Sequence, residues 1–211
     1  MIAVELRPHF GSFTAHLGHT PEETLRDLLG LDVGRINGRM LKMHLTQDPI
    51  GMQVLYGPND FDAEEQITAE QSAAIVDGLA SLADYVLLDL PSSPASSTEA
   101  ALRLCESIYL MVTPEPASVS AAKGMLELLK QWGIGRGVVE IVVVNQAPLA
   151  VAVKINEIGE ELNSDIIAII PPVADACVAS QQRGRPLSVI QPQNPAVARF
   201  VELAERLRLR A

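Results

Sequence analysis

The 211-residue sequence is poor in cysteine, lysine and aromatic side chains, and each shortage excludes a class of protein. Cys105 and Cys177 lie far apart without a CxxC or a short Cys/His cluster, so neither a structural zinc site nor a disulfide framework is indicated. No apolar run approaches the roughly 20 residues that span a bilayer, and no basic, apolar signal segment opens the chain. We therefore expect a cytoplasmic protein with two reduced cysteines.

Basic residues are also scarce. The sequence has 16 Lys and Arg against 26 Asp and Glu, a net charge of −10, so no nucleic-acid partner is expected. Only four of the basic residues are lysines, namely Lys42, Lys123, Lys130 and Lys154. What the chain does have is aliphatic side chains, which dominate a 48% hydrophobic fraction that is typical of a globular domain with a substantial core.

Short aliphatic runs are the clearest structural pattern. Four of them are apolar in succession rather than alternating, as in strands buried on both faces: residues 85–90, 107–112, 138–144 and 165–170. Segments with helical periodicity separate them (99–105, 119–132 and 153–162). The order of elements predicts an α/β fold, a mainly parallel sheet with helices on both faces, in a single domain spanning residues 1–211.

The first 84 residues and the last 17 follow the same logic. Residues 2–6 and 51–56 are predicted strands. Thr20 followed by Pro21 predicts a helix over 21–29, because Thr is a good N-cap and Pro is favoured at the first helical position. Further helices are predicted near 36–45, over 68–82 with Thr68 as the cap, and over 195–209.

A carboxylate ends the first of the four runs, in the sequence DYVLLDLP. Asp89 lies at the carboxyl edge of a predicted parallel strand, where ligands bind in open α/β sheets, and such an aspartate can order the water shell of Mg²⁺. Taken alone, the pattern is weak, because an Asp simply ends many buried strands. The next three strands also exit into polar or proline-containing loops on the same edge: TPEP, VVNQ and IIPPVAD.

The ordered set DYVLLDLP, TPEP, VVNQ, IIPP…D and RGRPL resembles the MinD/ParA group of deviant Walker P-loop ATPases. VELRPHFGSF, LGHTPEETLRDLL and GMQVLYGP resemble one subgroup, the CpaE/TadZ-like proteins that localise pilus-secretion machinery at the cell pole. The resemblance runs from about Ile2 to Leu207. It implies a P-loop NTPase-like fold, ATP or ADP with Mg²⁺ as cofactor, a homodimer, protein partners in a polar or secretion assembly, and recruitment of a cytoplasmic protein to the pole or inner membrane.

The resemblance also implies roles for particular residues. Asp89 matches the Walker B aspartate that lies near Mg²⁺ and holds it indirectly, and Asn145 matches the asparagine that contacts adenine. The loop containing Pro171, Pro172 and Asp175 matches the loop that flanks the base. These five residues are the predicted cofactor-binding set.

Two departures from the family pattern bear on catalysis. Glu5 and Arg7 fall where the family has two acids, and a guanidinium cannot position water as a base, although it could contact a phosphate. The glycine-rich KGGxGK[ST] loop, which cradles phosphate on backbone N–H groups, is absent, and none of the four lysines replaces its lysine. We therefore predict no catalytic residue, with Glu5 and Arg7 at the positions of the two acids of the family.

The absent piece corresponds to one βα unit of roughly 30 or more residues. Either the natural protein is longer, or the chain is a shortened, degenerate relative. In the family this first strand lies in the middle of the sheet, so its loss would leave strand edges without partners unless another strand fills the place. The leading hypothesis is a localisation or assembly factor with ATP binding weakened or lost. The alternative is the C-terminal part of an active Mg-dependent ATPase whose Walker A segment lies upstream of Met1. A DNA-partitioning protein is a third hypothesis, against which the net charge argues.

Other polar features receive plainer interpretations. His16 and His19 lack a third ligand and are read as surface residues, and Arg183 and Arg185 as structural or interface residues. The basic tail with Arg206, Arg208 and Arg210 is expected to pack on the sheet, with no more than peripheral membrane contact.

Overall fold

The structure is a computed structural model that describes residues 1–60, 66–146 and 153–209. The chain forms two compact units, unit 1 (Met1–Leu104) and unit 2 (Cys105–Ala211), each built of strands and helices in alternation. The fold class is therefore α/β with mainly parallel sheets, as predicted. The prediction of one domain over residues 1–211 stays a prediction.

Unit 1 contains a four-stranded sheet in the order β2-β3-β1-β4. β1 pairs in parallel with both β3 and β4, whereas β2 is antiparallel to β3. The strands are β1 (Ile2–Glu5), β2 (Thr46–Gln47), β3 (Gln53–Leu55) and β4 (Val86–Asp89), and the helices are α1 (Phe13–Leu17), α2 (Leu25–Leu29), α3 (Gly38–His44), α4 (Ala69–Ala80) and α5 (Ser96–Arg103), with a 3-10 turn at Val33–Arg35.

The core of unit 1 lies between this sheet and its helices. Ile2 and Val4 of the central strand are fully buried and pack in one cluster with Leu28 of α2, Leu41 of α3 and Leu79 of α4. Alternate residues of a strand point to the same face, so one face of β1 carries this cluster. The cluster fixes the central strand, and with it the residues that follow the strand at its carboxyl end.

Unit 2 contains a three-stranded parallel sheet in the order β5-β6-β7. The strands are β5 (Ile108–Val112), β6 (Val139–Val144) and β7 (Ile166–Ile170), and the helices are α6 (Pro116–Gln131), α7 (Ile155–Leu162), α8 (Ala174–Arg183), α9 (Leu187–Ile190) and α10 (Pro195–Arg208), with a 3-10 turn at Arg136–Val138. Ile141 and Val143 pack in a cluster with residues of α6 and α7, and Val142 packs in a cluster with Ala196 of α10. Helices therefore cover both faces of β6.

The helix starts show where the sequence predictions were right and wrong. Thr68 caps α4 and forms a capping box with Gln71, as the sequence predicts for the N-cap. The cap predicted at Thr20 is wrong: α2 begins at Leu25, and Thr24 is its N-cap. The Thr24 hydroxyl accepts from the Arg26 N–H and the Asp27 carboxylate accepts from the Thr24 N–H at 2.7 Å, a reciprocal pair that fixes the start of the helix there.

In the described parts of the chain, every helix is too short or too polar to cross a lipid bilayer.

Candidate functional site

The carboxyl end of the unit 1 sheet gathers three residues singled out from the sequence. In the parallel pairing of β1 with β4, Glu5 is in register with Asp89, and the Leu6 N–H donates to the Asp89 carbonyl at 3.0 Å. Arg7 follows two residues after β1 ends. Glu5, Arg7 and Asp89 therefore meet at one edge, which is where ligands bind in open parallel sheets.

Arg7 and Asp89 form a two-pronged ion pair. The Arg7 Nε donates to Asp89 Oδ2 at 3.0 Å, and Nη2 donates to Oδ1 at 2.8 Å. Both side chains are about one third exposed, at 33% and 35%. The hydrogen bond to Asp89 is the main cause that raises the pKa of Arg7, with the negative charges of Asp89 and Glu5 adding to it against the effect of burial. The pair is a charge-assisted fork in which both carboxylate oxygens are engaged.

Glu5 is the most deeply buried charged group of this edge, with no exposed surface. Its carboxylate accepts a short hydrogen bond from the Ser12 N–H, a bond from Ser12 Oγ at 3.2 Å, and bonds from the N–H groups of Phe13 and Gly57, each at 3.2 Å. A carboxylate held by several backbone donors is compensated for its burial. Glu5 therefore ties the loop after β1 to the loop after β3.

Two glycines make room for that carboxylate, and neither is among the residues predicted from the sequence. A Cβ on Gly11 would lie 2.6 Å from Glu5 Oε2 and 2.8 Å from the Gly57 carbonyl oxygen. A Cβ on Gly57 would lie 3.1 Å from both Cγ and Oε2 of Glu5. One local feature could have indicated Gly11. Gly11 and Ser12 come after a predicted strand that contains an acid, and turns rich in Gly and Ser supply backbone N–H donors.

Tyr56 is a second buried polar group beside this edge that sequence reasoning missed. It is fully buried, and its hydroxyl has no hydrogen-bond partner among the described residues. Burial raises the pKa of Tyr56 to about 12, and the charges of Asp48 and Glu5 add to the effect. The site edge of unit 1 therefore lies beside a phenol that is held neutral.

The arrangement does not fit a magnesium ion coordinated directly by Asp89 or Glu5, and the prediction that Asp89 holds Mg²⁺ indirectly stays a prediction. Mg²⁺ requires oxygen ligands in near-octahedral geometry and gives up its water reluctantly. Arg7 engages both oxygens of Asp89, and the donors of two loops engage both oxygens of Glu5. Among the residues that the structure describes, no three or more His, Cys, Asp or Glu side chains form a group that could hold a metal ion. His16 and His19 therefore belong to no such group.

Unit 2 carries the residues predicted to contact a base. Asn145 follows β6, and its N–H donates to the Ile170 carbonyl at 2.9 Å, which holds it beside the end of β7. Its Oδ1 is buried without a partner in the described structure. Pro171 and Pro172 come directly after β7, and Asp175 is exposed in the first turn of α8. An unpaired buried amide oxygen fits the exocyclic amino group of a purine, because that group is a hydrogen-bond donor.

The prediction that the C-terminal segment packs on its own sheet is confirmed only in part, because Phe200 and Val201 of α10 are 48% and 55% exposed. Arg206 of α10 donates through Nε and Nη2 to Glu140 of β6, at 3.2 and 3.0 Å, and Ala196 and Val197 of the same helix are buried. Arg210 lies outside the described residues. The prediction of no more than peripheral membrane contact stays a prediction.

Comparison with known proteins identifies relatives of similar sequence. No family model matches the chain. In sequence it is 28% identical over 149 residues to the septum site-determining protein MinD of Thermotoga maritima, which covers 69% of the chain and 54% of that protein. It is 24% identical over 184 residues to a putative MinD of Emiliania huxleyi, which covers 84% of the chain and 66% of that protein. The chain thus spans between about half and two thirds of the length of these relatives.

Solved structures agree more closely in shape than in sequence. A ParA family ATPase from Chlorobium tepidum superposes with a TM-score of 0.85 at 22% identity, covering 96% of this chain and 84% of that one. MinD of Pyrococcus horikoshii complexed with Mg-ADP gives 0.79 at 17%, covering 98% and 82%. The MinC:MinD complex of Aquifex aeolicus gives 0.78 at 20%, covering 98% and 82%. The fold is therefore that of the MinD/ParA P-loop ATPases, and in sequence the chain is similar to MinD proteins.

Proposed function

We propose that this chain is a MinD/ParA-like localisation or assembly factor of the CpaE/TadZ type, which serves pilus or secretion machinery. It dimerises and docks on protein partners, and its ATP binding is weakened or lost. The observation that carries the proposal is the position of its four lysines, because phosphate binding in this fold depends on a lysine in a glycine-rich turn.

All four lysines are exposed and belong to helices or their ends. Lys42 lies in the last turn of α3, Lys123 and Lys130 lie in α6, and Lys154 is the N-cap residue of α7. Lys154 follows β6 through the connection to α7, but its Nζ pairs with Glu157 at 3.3 Å and it does not belong to a glycine-rich turn. The four lysines therefore offer no counterpart of the P-loop lysine, which supports weakened or lost phosphate binding.

Similarity to MinD supports a role exercised through protein contacts. The Aquifex aeolicus relative of known structure is a complex of MinD with MinC, and its chain superposes on nearly all of this one. The net charge of −10 disfavours binding to DNA, which requires a basic surface. We propose that the protein works in the cytoplasm and is recruited by its partners to the pole or inner membrane.

Calorimetric titration of the chain with ATP and with ADP, each with Mg²⁺ and with EDTA, tests the proposal. We expect binding weaker than about 0.1 mM, or none, because phosphates without a lysine lose a major charge contact. Asn145→Ala is the matched variant for any residual binding through the base. A Mg-dependent ATPase rate above background that Asp89→Ala abolishes would overturn the proposal.

A second candidate is the C-terminal part of an active Mg-dependent ATPase whose Walker A segment lies upstream of Met1. Three observations favour it. In the described parts of the chain, β4 pairs only with β1 and β5 pairs only with β6, so each sheet has a parallel edge strand open to a further strand. The chain spans only 54% to 66% of its curated MinD relatives. Among the residues that the structure describes, Asn145 Oδ1 has no hydrogen-bond partner.

The genomic sequence upstream of Met1 separates the two candidates. An in-frame GKGGVGKT-like segment within the preceding roughly 40 codons, the length of one strand–loop–helix unit, would favour the ATPase. The longer protein would then hydrolyse ATP with Mg²⁺ while residues 1–211 alone would not. Absence of such a segment would leave the localisation factor.

A further inference from the structure

We propose that the Arg7 guanidinium is the resident cation of Asp89, and that it excludes a divalent metal ion from this carboxylate. The inference deepens the proposed function at the same sheet edge. It implies that the Asp89 edge of unit 1 does not require Mg²⁺. The Asp89 carboxylate becomes available to a cation when Arg7 is removed, not when metal is added.

The geometry of the pair is the first argument. Two parallel bonds of 3.0 and 2.8 Å join the planar guanidinium to both oxygens of the carboxylate. This is the bidentate geometry for which arginine is suited and which lysine cannot reproduce. A metal ion at Asp89 would have to break both bonds, and it would leave the guanidinium without its partner.

The backbone holds the pair together before any ligand arrives. Asp89 is the last residue of β4 and is in register with Glu5 at the end of β1, and Arg7 is two residues further on. The Leu6 N–H bond to the Asp89 carbonyl, at 3.0 Å, fixes the chain between them. Because both partners extend from paired strands, forming the fork costs little conformational freedom compared with a pair on the open surface.

Charge gives the third argument. Asp89 and Glu5 are the carboxylates of this edge, and the loops already hold Glu5 through its hydrogen bonds. Of these two carboxylates, Asp89 alone could still attract a cation. Arg7 is in direct contact with Asp89, so its positive charge would repel a cation that bound there. The hydrogen bond with Asp89 raises the pKa of Arg7, so the guanidinium keeps its charge at any working pH.

The test is a titration with Mn²⁺, in which the electron paramagnetic resonance signal of the free hydrated ion reports the bound fraction without any nucleotide. The proteins are the wild type, Asp89→Asn, Arg7→Asp, Arg7→Ala and the double variant Arg7→Asp with Asp89→Asn. Circular dichroism confirms that each variant is folded. Arg103→Ala is the control for loss of an arginine–carboxylate pair elsewhere in unit 1, since Nε and Nη2 of Arg103 both donate to Oε1 of Glu99 within α5.

We expect the wild type to bind Mn²⁺ no better than Asp89→Asn. Arg7→Asp should bind at least about tenfold more tightly than the wild type, Arg7→Ala should lie between them, and the double variant should lose the gain, because carboxylate oxygens are the preferred ligands of such ions. Arg103→Ala should match the wild type.

Wild-type binding that Asp89→Asn abolishes would overturn the inference, and so would folded Arg7→Asp and Arg7→Ala variants with no gain. Because no nucleotide is present, these outcomes are independent of the calorimetric result. Tight ATP binding would contradict the proposed function and leave the Mn²⁺ titration to decide the role of Arg7.

Discussion

Replacement of Glu5 by alanine should destabilise unit 1 strongly. The carboxylate is fully buried and accepts from the N–H groups of Ser12, Phe13 and Gly57 as well as from the Ser12 hydroxyl. Removal of one side of a buried, hydrogen-bonded charge network costs about 3–5 kcal/mol. Glu5→Gln keeps the shape but points an amide NH₂ at an N–H donor, so its expected cost is smaller, about 2 kcal/mol.

Urea unfolding followed by far-ultraviolet circular dichroism measures the change in unfolding free energy of each variant. Glu22→Ala is the matched control, because Glu22 is exposed, belongs to the same unit and makes no assigned contact among the described residues. Its expected change is within about 0.5 kcal/mol. A Glu5→Ala cost as small as that of Glu22→Ala would refute the assignment of Glu5 as the link between the two loops.

Two further predictions concern the surroundings of Glu5. Gly11→Ala should lower the free energy of unfolding in urea by about 1–3 kcal/mol, because its Cβ would meet a carboxylate and a backbone carbonyl. Gly34→Ala is the control, because its Cβ would meet nothing within 4 Å. Equal losses for the two variants would contradict the prediction. Absorbance at the tyrosinate wavelength should show one tyrosine titrating at about pH 12, absent in Tyr56→Phe. Because the folded pKa of Tyr56 is the higher one, its stabilising contribution is complete below about pH 10 and is lost as the pH rises towards 12. A Tyr56 that titrates at the ordinary tyrosine value, about 10, would be the contrary result.

The strands of this fold could be predicted because their sequences carry a strong signal. All four aliphatic runs are strands within one or two residues at each end, since strands covered on both faces must be apolar throughout. The helix starts were less predictable. Thr20 and Thr24 both satisfy the preference for an N-cap, and the pairing of Thr24 with Asp27 decides between them. Helix α8 was not predicted, because Ser180 is its only buried residue and it has little apolar periodicity.

In the candidate site, the positions of residues at strand ends were predictable, whereas the pairings between residues were not. The places of Asp89 and Asn145 at strand ends follow from the apolar runs before them. The fork between Arg7 and Asp89 joins residues 82 positions apart, and the bond from Gly57 to Glu5 joins residues 52 apart. Such pairings depend on the register between strands, which the pattern of a single strand does not encode. The sequence therefore indicates Arg7 as a lost acid that could contact a phosphate, and its pairing with Asp89 was not predicted.

The open edges of β4 and β5 also have a consequence for the behaviour of the chain in the cell and in the test tube. Each is a parallel strand at the end of its sheet, and each exposes an apolar side chain: Leu87 is 44% exposed and Met111 is 55% exposed. Exposed apolar edge strands template edge-to-edge aggregation. The one charge of β4, Asp89, is paired with Arg7, and β5 carries none. Residues 1–211 purified by themselves should therefore precipitate more readily as concentration rises, and Leu87→Lys, a charge at the edge, should delay it.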